Sequence, residues 1–171
     1  MAETSAPVPS FFRSAIVLPN LARATLVDAL QARLMDGVDL YAAVKVAHWN
    51  VKGPAFGPIH ALFDGLASLI AEVNDRIAER IAALGGLTQA TVAAAAARSS
   101  LPAMPATVTK DLALVKLVAD RLDVYLRGLV SANSVAVTVQ EPGTVNLLGD
   151  VIESVGQKAW MVLSHLENGE R

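Results

Sequence analysis

There is no cysteine among the 171 residues of this chain, which excludes disulfides, thiolate zinc sites and cysteine nucleophiles together. Histidine is scarce at three, and 14 basic residues against 16 acidic ones leave a formal net charge of -2, so the total does not favour nucleic acid. No uninterrupted apolar run is long enough to cross a bilayer, and the N-terminus lacks a basic region followed by an apolar core; the expectation is a cytoplasmic protein without membrane partners. Gly-rich phosphate loops, a G-x-S-x-G elbow and internal repeats are also missing, which leaves nucleotide binding and serine hydrolysis unsupported. What the chain does have is apolar surface. Hydrophobic residues make up 53% and charged residues 18%, rich for a soluble monomer of one-domain length, and such an excess signals burial between subunits.

Residues 1–20 hold three prolines and little helical pattern, and read as an extended or disordered arm. From Leu21 to about Val51, Leu26, Leu30, Leu34, Val38, Tyr41 and Val44 recur at spacings of three and four, giving a long amphipathic helix interrupted only by Gly37. A second helix is expected from Pro58 to Leu84, closed by Gly85-Gly86, and a short one within Thr88–Arg98. A third long helix is expected over about Ala106–Asn133. The valine-rich segment from Ala132 to Gln140 is then helix end and loop, because it has no partner strand. Pro142 opens a fourth helix to about Leu166, and residues 168–171 are a short tail. Tyr41 and Trp160 are expected in the core, and His165 near the last helix end. Four long helices with a small one between the second and third describe an all-α four-helix bundle over residues 21–167.

The chemistry concentrates in His48, His60, Asp64, Asp75 and Glu79, spaced 12, 4, 11 and 4 residues apart. Two imidazoles and three carboxylates are a mixed nitrogen and oxygen set suited to iron, manganese or zinc. At about 100° per residue, the apolar residues of the second helix fall on one wide stripe, while His60, Asp64, Asp75 and Glu79 fall on a second stripe almost opposite. Ala61, Ser68, Ala71, Ala78 and Ala82 lie between them, small enough for another helix to approach. His60/Asp64 and Asp75/Glu79 are centred on the order of 22 Å apart along the axis, too far for one metal site. They share a midpoint between Leu69 and Ile70. An identical helix packed antiparallel across that midpoint brings His60 opposite Glu79 of its partner and Asp64 opposite Asp75, the self-complementary form of a two-fold interface. His48, before the turn Lys52-Gly53-Pro54, swings a second imidazole toward His60.

Ala47-His48-Trp49-Asn50-Val51-Lys52-Gly53-Pro54, Ile59-His60-Ala61-Leu62-Phe63-Asp64, Asp75-Arg76-Ile77-Ala78-Glu79-Arg80-Ile81 with Leu84-Gly85-Gly86, Glu141-Pro142-Gly143-Thr144 and Lys158-Ala159-Trp160 resemble the Dps family, the DNA-binding proteins from starved cells or mini-ferritins. The resemblance covers roughly residues 21–167. It implies a ferritin-like bundle assembled as a hollow homododecamer, with ferroxidase ligands at His48, His60, Asp64, Asp75 and Glu79. It further implies that Fe(II) is bound at the two-fold interface and oxidised, preferably by hydrogen peroxide rather than dioxygen, and stored as ferric oxide. Zinc or manganese can substitute at such a ligand set. Asp75 either binds directly or orients a histidine. Trp49 is a candidate trap for stray oxidant, with interface packing as the competing role.

Three departures limit the carry-over. The arm has only Glu3 and Arg13, and the tail has Glu167, Glu170 and Arg171, so DNA binding through tails is disfavoured, since counterion release needs several cationic contacts. The pore region near the last helix start has Glu141, Asn146 and Asp150, fewer acids than is common in relatives. Gly65, Leu66 and Ala67 stand where relatives often carry glutamates that seed mineral. Two other readings remain: a nucleoid-associated shell that compacts DNA through Lys110, Lys116, Arg121 and Arg127, and a shell whose metal site is purely structural, holding zinc or nothing.

Overall fold

In the computed structural model, which describes residues 11–167, the chain runs α1 (Asn20–Asn50), α2 (Phe56–Ala83), α3 (Val92–Arg98), α4 (Asp111–Thr138) and α5 (Pro142–Ser164). Residues 1–10 of the expected arm and the 168–171 tail lie outside the described residues. The described residues form no strand; Lys52 and Lys110 make one isolated parallel bridge.

α1 packs along α2 and α4 along α5, α1 against α4 joins the two hairpins, and α3 lies on α1. The pattern of threes and fours drives this arrangement. Leu26, Leu30 and Leu34 of α1, Phe63, Leu66, Ile70, Val73 and Ile77 of α2, Leu122 and Leu129 of α4, and Leu148, Val151 and Val155 of α5 are all buried in one core. Each such large side chain contributes about 1.5–3 kcal/mol when taken from water. By length and composition α2 could cross a membrane, but its apolar stripe is committed to this core.

Gly37 does not interrupt α1. A Cβ there would lie 1.9 Å from Asn74 Oδ1 and 3.1 Å from the Tyr125 hydroxyl, so glycine lets α1, α2 and α4 close on a polar spot inside the bundle. Burial, and secondarily the nearby Asp36 carboxylate, push the Tyr125 phenol well above its usual range.

Several expectations are corrected. α4 starts at Asp111, later than expected, and continues through the valine-rich segment to Thr138. Ala132 and Ala136, one turn apart, are buried, and tertiary packing of that face outweighs the strand preference of valine. Gln140, at φ 57°, makes the turn into α5. Tyr41 is 39% and Trp160 64% exposed rather than core; the buried tyrosine is Tyr125. Residues 11–18 are irregular yet tied down. Phe12 N–H donates to Gly85 O (2.9 Å), and the buried Arg23 donates to Leu84 O at the negative end of α2 and to Ile16 O and Leu18 O of the segment itself.

Candidate metal centre

The two histidines sit on either side of one tight loop. His48 is in the last turn of α1 and His60 in the second turn of α2. Between them Gly53 takes φ 146°, where side chains are rarely tolerated, and a Cβ there would meet the Asp111 carboxylate at 2.3–2.7 Å. That carboxylate accepts from Ala55 N–H at 3.0 Å. Lys52 N–H donates to Thr109 O (2.8 Å) and Asp111 N–H to Lys52 O (2.9 Å). The backbone N–H of Ala55 holds the Asp111 carboxyl below its ordinary range. The loop is thereby fastened to the start of α4, and the ends of α1 and α2 are held together.

Across that loop the imidazoles lock each other. His48 Nδ1 is 2.9 Å from His60 O, and His60 Nδ1 is 2.9 Å from His48 O. A carbonyl only accepts, so Nδ1 carries the proton on both rings and, in the neutral imidazole, Nε2 keeps its lone pair. This is the arrangement a metal-binding histidine needs: one nitrogen tethered to a carbonyl, the other free. The rings stack with centroids 3.8 Å apart and 24° between planes.

Asp64, one turn beyond His60, brings Oδ1 to 3.8 Å from His48 Nε2 and to 2.9 Å from Lys45 Nζ. The Lys45 hydrogen bond and charge hold the Asp64 carboxyl below the usual carboxylate range. His48 thus lies against both His60 and Asp64. Asp75 and Glu79 are exposed on the same helix farther along. Among the described residues, no group of three or more His, Asp or Glu within the single chain is arranged to hold a metal ion by itself. Ser68 and Ala71, between the two pairs, are exposed, as are Ala61 and Ala82 at either end.

Trp49 is 68% exposed, with Lys45 Nζ 5.9 Å from its ring centroid. Glu141 is not available to line a pore. It is 7% exposed, pairs with Arg80 Nη2 at 2.5 Å and caps α5 by accepting from Gly143 and Thr144 N–H. Burial pushes its carboxyl up, but hydrogen bonds from Arg80 and Thr144 outweigh that and leave it lowered. Asn146 and Asp150 are exposed, and Asp150 lies 3.4 Å from Arg76.

The proposed basic patch does not assemble. Arg121 is 2% exposed and pairs with Asp39 at 2.7 Å; Lys116 pairs with Asp120 and Arg127 with Asp123. Of the four, Lys110 alone is exposed without an ion pair among the described residues. The expectations about Glu3, Glu170 and Arg171 lie outside the described residues. The sequence reading missed Lys45, Asp111 and Phe56, whose ring centroid is 5.0 Å from that of His60. Lys45 and Phe56 carried a usable signal, being three residues before His48 and four before His60; Asp111 is remote in sequence and carried none.

Comparison with known proteins follows the same lines. The ferritin-like domain family matches residues 27–171. A DNA protection during starvation protein of Agrobacterium fabrum is 26% identical over 150 residues, covering 88% of this chain and 93% of that protein. Among solved structures, DpsA14 from Streptomyces coelicolor superposes with a TM-score of 0.88 at 28% identity, covering 95% of each chain. Dps from Microbacterium arborescens in its high iron form superposes with a TM-score of 0.81 at 27% identity, covering 90% of this chain and 97% of that one.

Proposed function

The chain belongs to the Dps family of ferritin-like proteins, and from that premise we propose that it is a ferroxidase and iron store whose sites are each built by two copies of the chain. The observation that carries this reading is the reciprocal His48–His60 lock, which leaves both Nε2 atoms unused by the tether, with that of His48 3.8 Å from Asp64 Oδ1. One chain supplies His48, His60 and Asp64, and its antiparallel partner supplies Asp75 and Glu79.

The residues fit ferrous iron as substrate. The carboxylates Asp64 and Glu79 supply the anionic oxygen that a hard cation prefers, the imidazoles supply neutral nitrogen, and Asp75 binds or orients. Lys45 occupies Asp64 until the metal displaces it. Each hydrogen peroxide would accept two electrons, one from each of two ferrous ions, and two protons from solvent, its O–O bond breaking to leave two waters and two ferric ions. No hydroxyl radical is released, which spares DNA and protein, and ferric product is kept in a hollow twelve-subunit shell in the cytoplasm. The neutralised basic residues of α4 weigh against a DNA-compacting outer surface.

The test is anaerobic titration with Fe(II) followed by peroxide. About two irons should be oxidised per site, as for a paired-metal centre, and the double variant His48→Ala/Asp64→Ala should lose the rapid phase. Rates equal to those of the parent protein would refute the assignment.

A further inference from the structure

Phe56 is the first residue of α2, one turn before His60. It does not belong to the hydrophobic core: it is 47% exposed, and the buried cluster that holds the bundle together is built without it. Packing within its own chain therefore does not account for a large aromatic ring in this place. Its backbone is anchored, with Phe56 N–H donating to Gly53 O at 3.1 Å and the preceding residue fixed by Asp111. Its side chain lies against His60, centroid to centroid 5.0 Å with 34° between planes, within the range of offset aromatic contacts. His48 stacks on the same imidazole at 3.8 Å, so His60 contacts both other rings.

The Nδ1 hydrogen bond fixes the tautomer and one edge of each imidazole, and contact on the ring face limits the tilt that remains. His48 and His60 tether and stack on each other, so the tilt of one ring is coupled to that of the other. A third ring rooted in a rigid first helical turn restricts that tilt. We propose that Phe56 is a positioning residue of the metal centre, holding His60, and through it His48, with Nε2 turned toward the site. This rests on the reading that the two imidazoles bind metal.

The experiment uses Co(II), a probe that binds mixed nitrogen and oxygen sites and has a visible absorption band sensitive to geometry, titrated into the assembled metal-free protein and into Phe56→Ala, Phe56→Tyr and His60→Ala. Phe56→Ala should bind Co(II) about fivefold more weakly, the typical worth of one aromatic contact, with a broadened or shifted band, while its melting temperature and assembled mass match the parent. Phe56→Tyr, which keeps the ring, should restore both affinity and band. Parent-like binding and band in Phe56→Ala, with binding lost in His60→Ala, overturns the role of Phe56 alone. Parent-like binding in both overturns the histidine site together with it. A lowered melting temperature in Phe56→Ala that accounts for weaker binding, with no rescue by Phe56→Tyr, also overturns it.

Discussion

Sharing each site between two chains has a quantitative signature in mixed assemblies. The perturbation is a pair of complementary variants, one lacking the histidine half (His60→Ala/Asp64→Ala) and one lacking the carboxylate half (Asp75→Ala/Glu79→Ala). The two halves are centred on the order of 22 Å apart along one helix, and metal to ligand bonds are near 2 Å, so neither half reaches the other within one chain. A shell of either variant alone therefore has no complete site. In shells formed from equal amounts of both, random pairing makes about half of the two-fold interfaces mixed. Each mixed interface rebuilds one site of two, because the intact histidine half of one chain meets the intact carboxylate half of the other. Peroxide-dependent Fe(II) oxidation should recover to about one quarter of the parent value. The four substituted positions include no buried core residue: Asp64, Asp75 and Glu79 are exposed and His60 is partly so. Folding and assembly should survive, which sedimentation of the mixed material checks. The assay is the stopped-flow ferric absorbance of separate and mixed shells at equal subunit concentration. Zero recovery in properly assembled mixed shells, or full activity in either variant alone, would refute the shared-site reasoning.

Three further outcomes follow from the packing. Phe63→Ala empties a fully buried position and should cost about 3–5 kcal/mol in urea unfolding; a loss under 1 kcal/mol would contradict the core described above. Gly37→Ala gains about 1 kcal/mol of helix propensity, but its Cβ would fall 1.9 Å from Asn74 Oδ1. Overpacking of about 1–3 kcal/mol should win, so the melting temperature should fall; a rise would mean that Asn74 moves aside freely. Glu141→Gln leaves the Arg80 guanidinium without its anion and should cost about 3 kcal/mol at neutral pH. Because the Glu141 carboxyl is lowered from 4.5 in the fold, its stabilisation is complete above that pH and drains as pH falls through the folded value. The stability gap between parent and variant should therefore narrow in acid, and denaturant curves between pH 3 and 7 that stay parallel would refute the pairing.

Periodicity alone was enough to read the four long helices, because amphipathic helices advertise the face they bury: Leu26, Leu30 and Leu34, or Phe63, Ile70 and Ile77, are spaced for one core whatever surrounds them. The separation of apolar and ligand stripes on α2 was legible for the same reason. The downstream end of α4 was not, since Val135, Val137 and Val139 suit strand or helix equally until the burial of Ala132 and Ala136 selects one. Arg121 resisted the sequence in another way. Its charge suggested surface, and the approach of Asp39 from α1 together with the Pro102 carbonyl, which accepts from Arg121, makes its burial tolerable.

What the linear order of residues determined by itself, then, was the set of helices, the candidate ligand types and the face of α2 on which those residues lie, because these depend on spacing along a single helix. What only the tertiary structure decided was the state of the groups: which imidazole nitrogen is free, that Lys45 holds Asp64, that Phe56 backs His60, and that Glu141 is spent on Arg80 instead of a pore. The first, second and fourth depend on side chains of different helices coming within hydrogen-bond range, and the Phe56–His60 contact, although four residues apart on one helix, depends on ring orientations that periodicity does not encode.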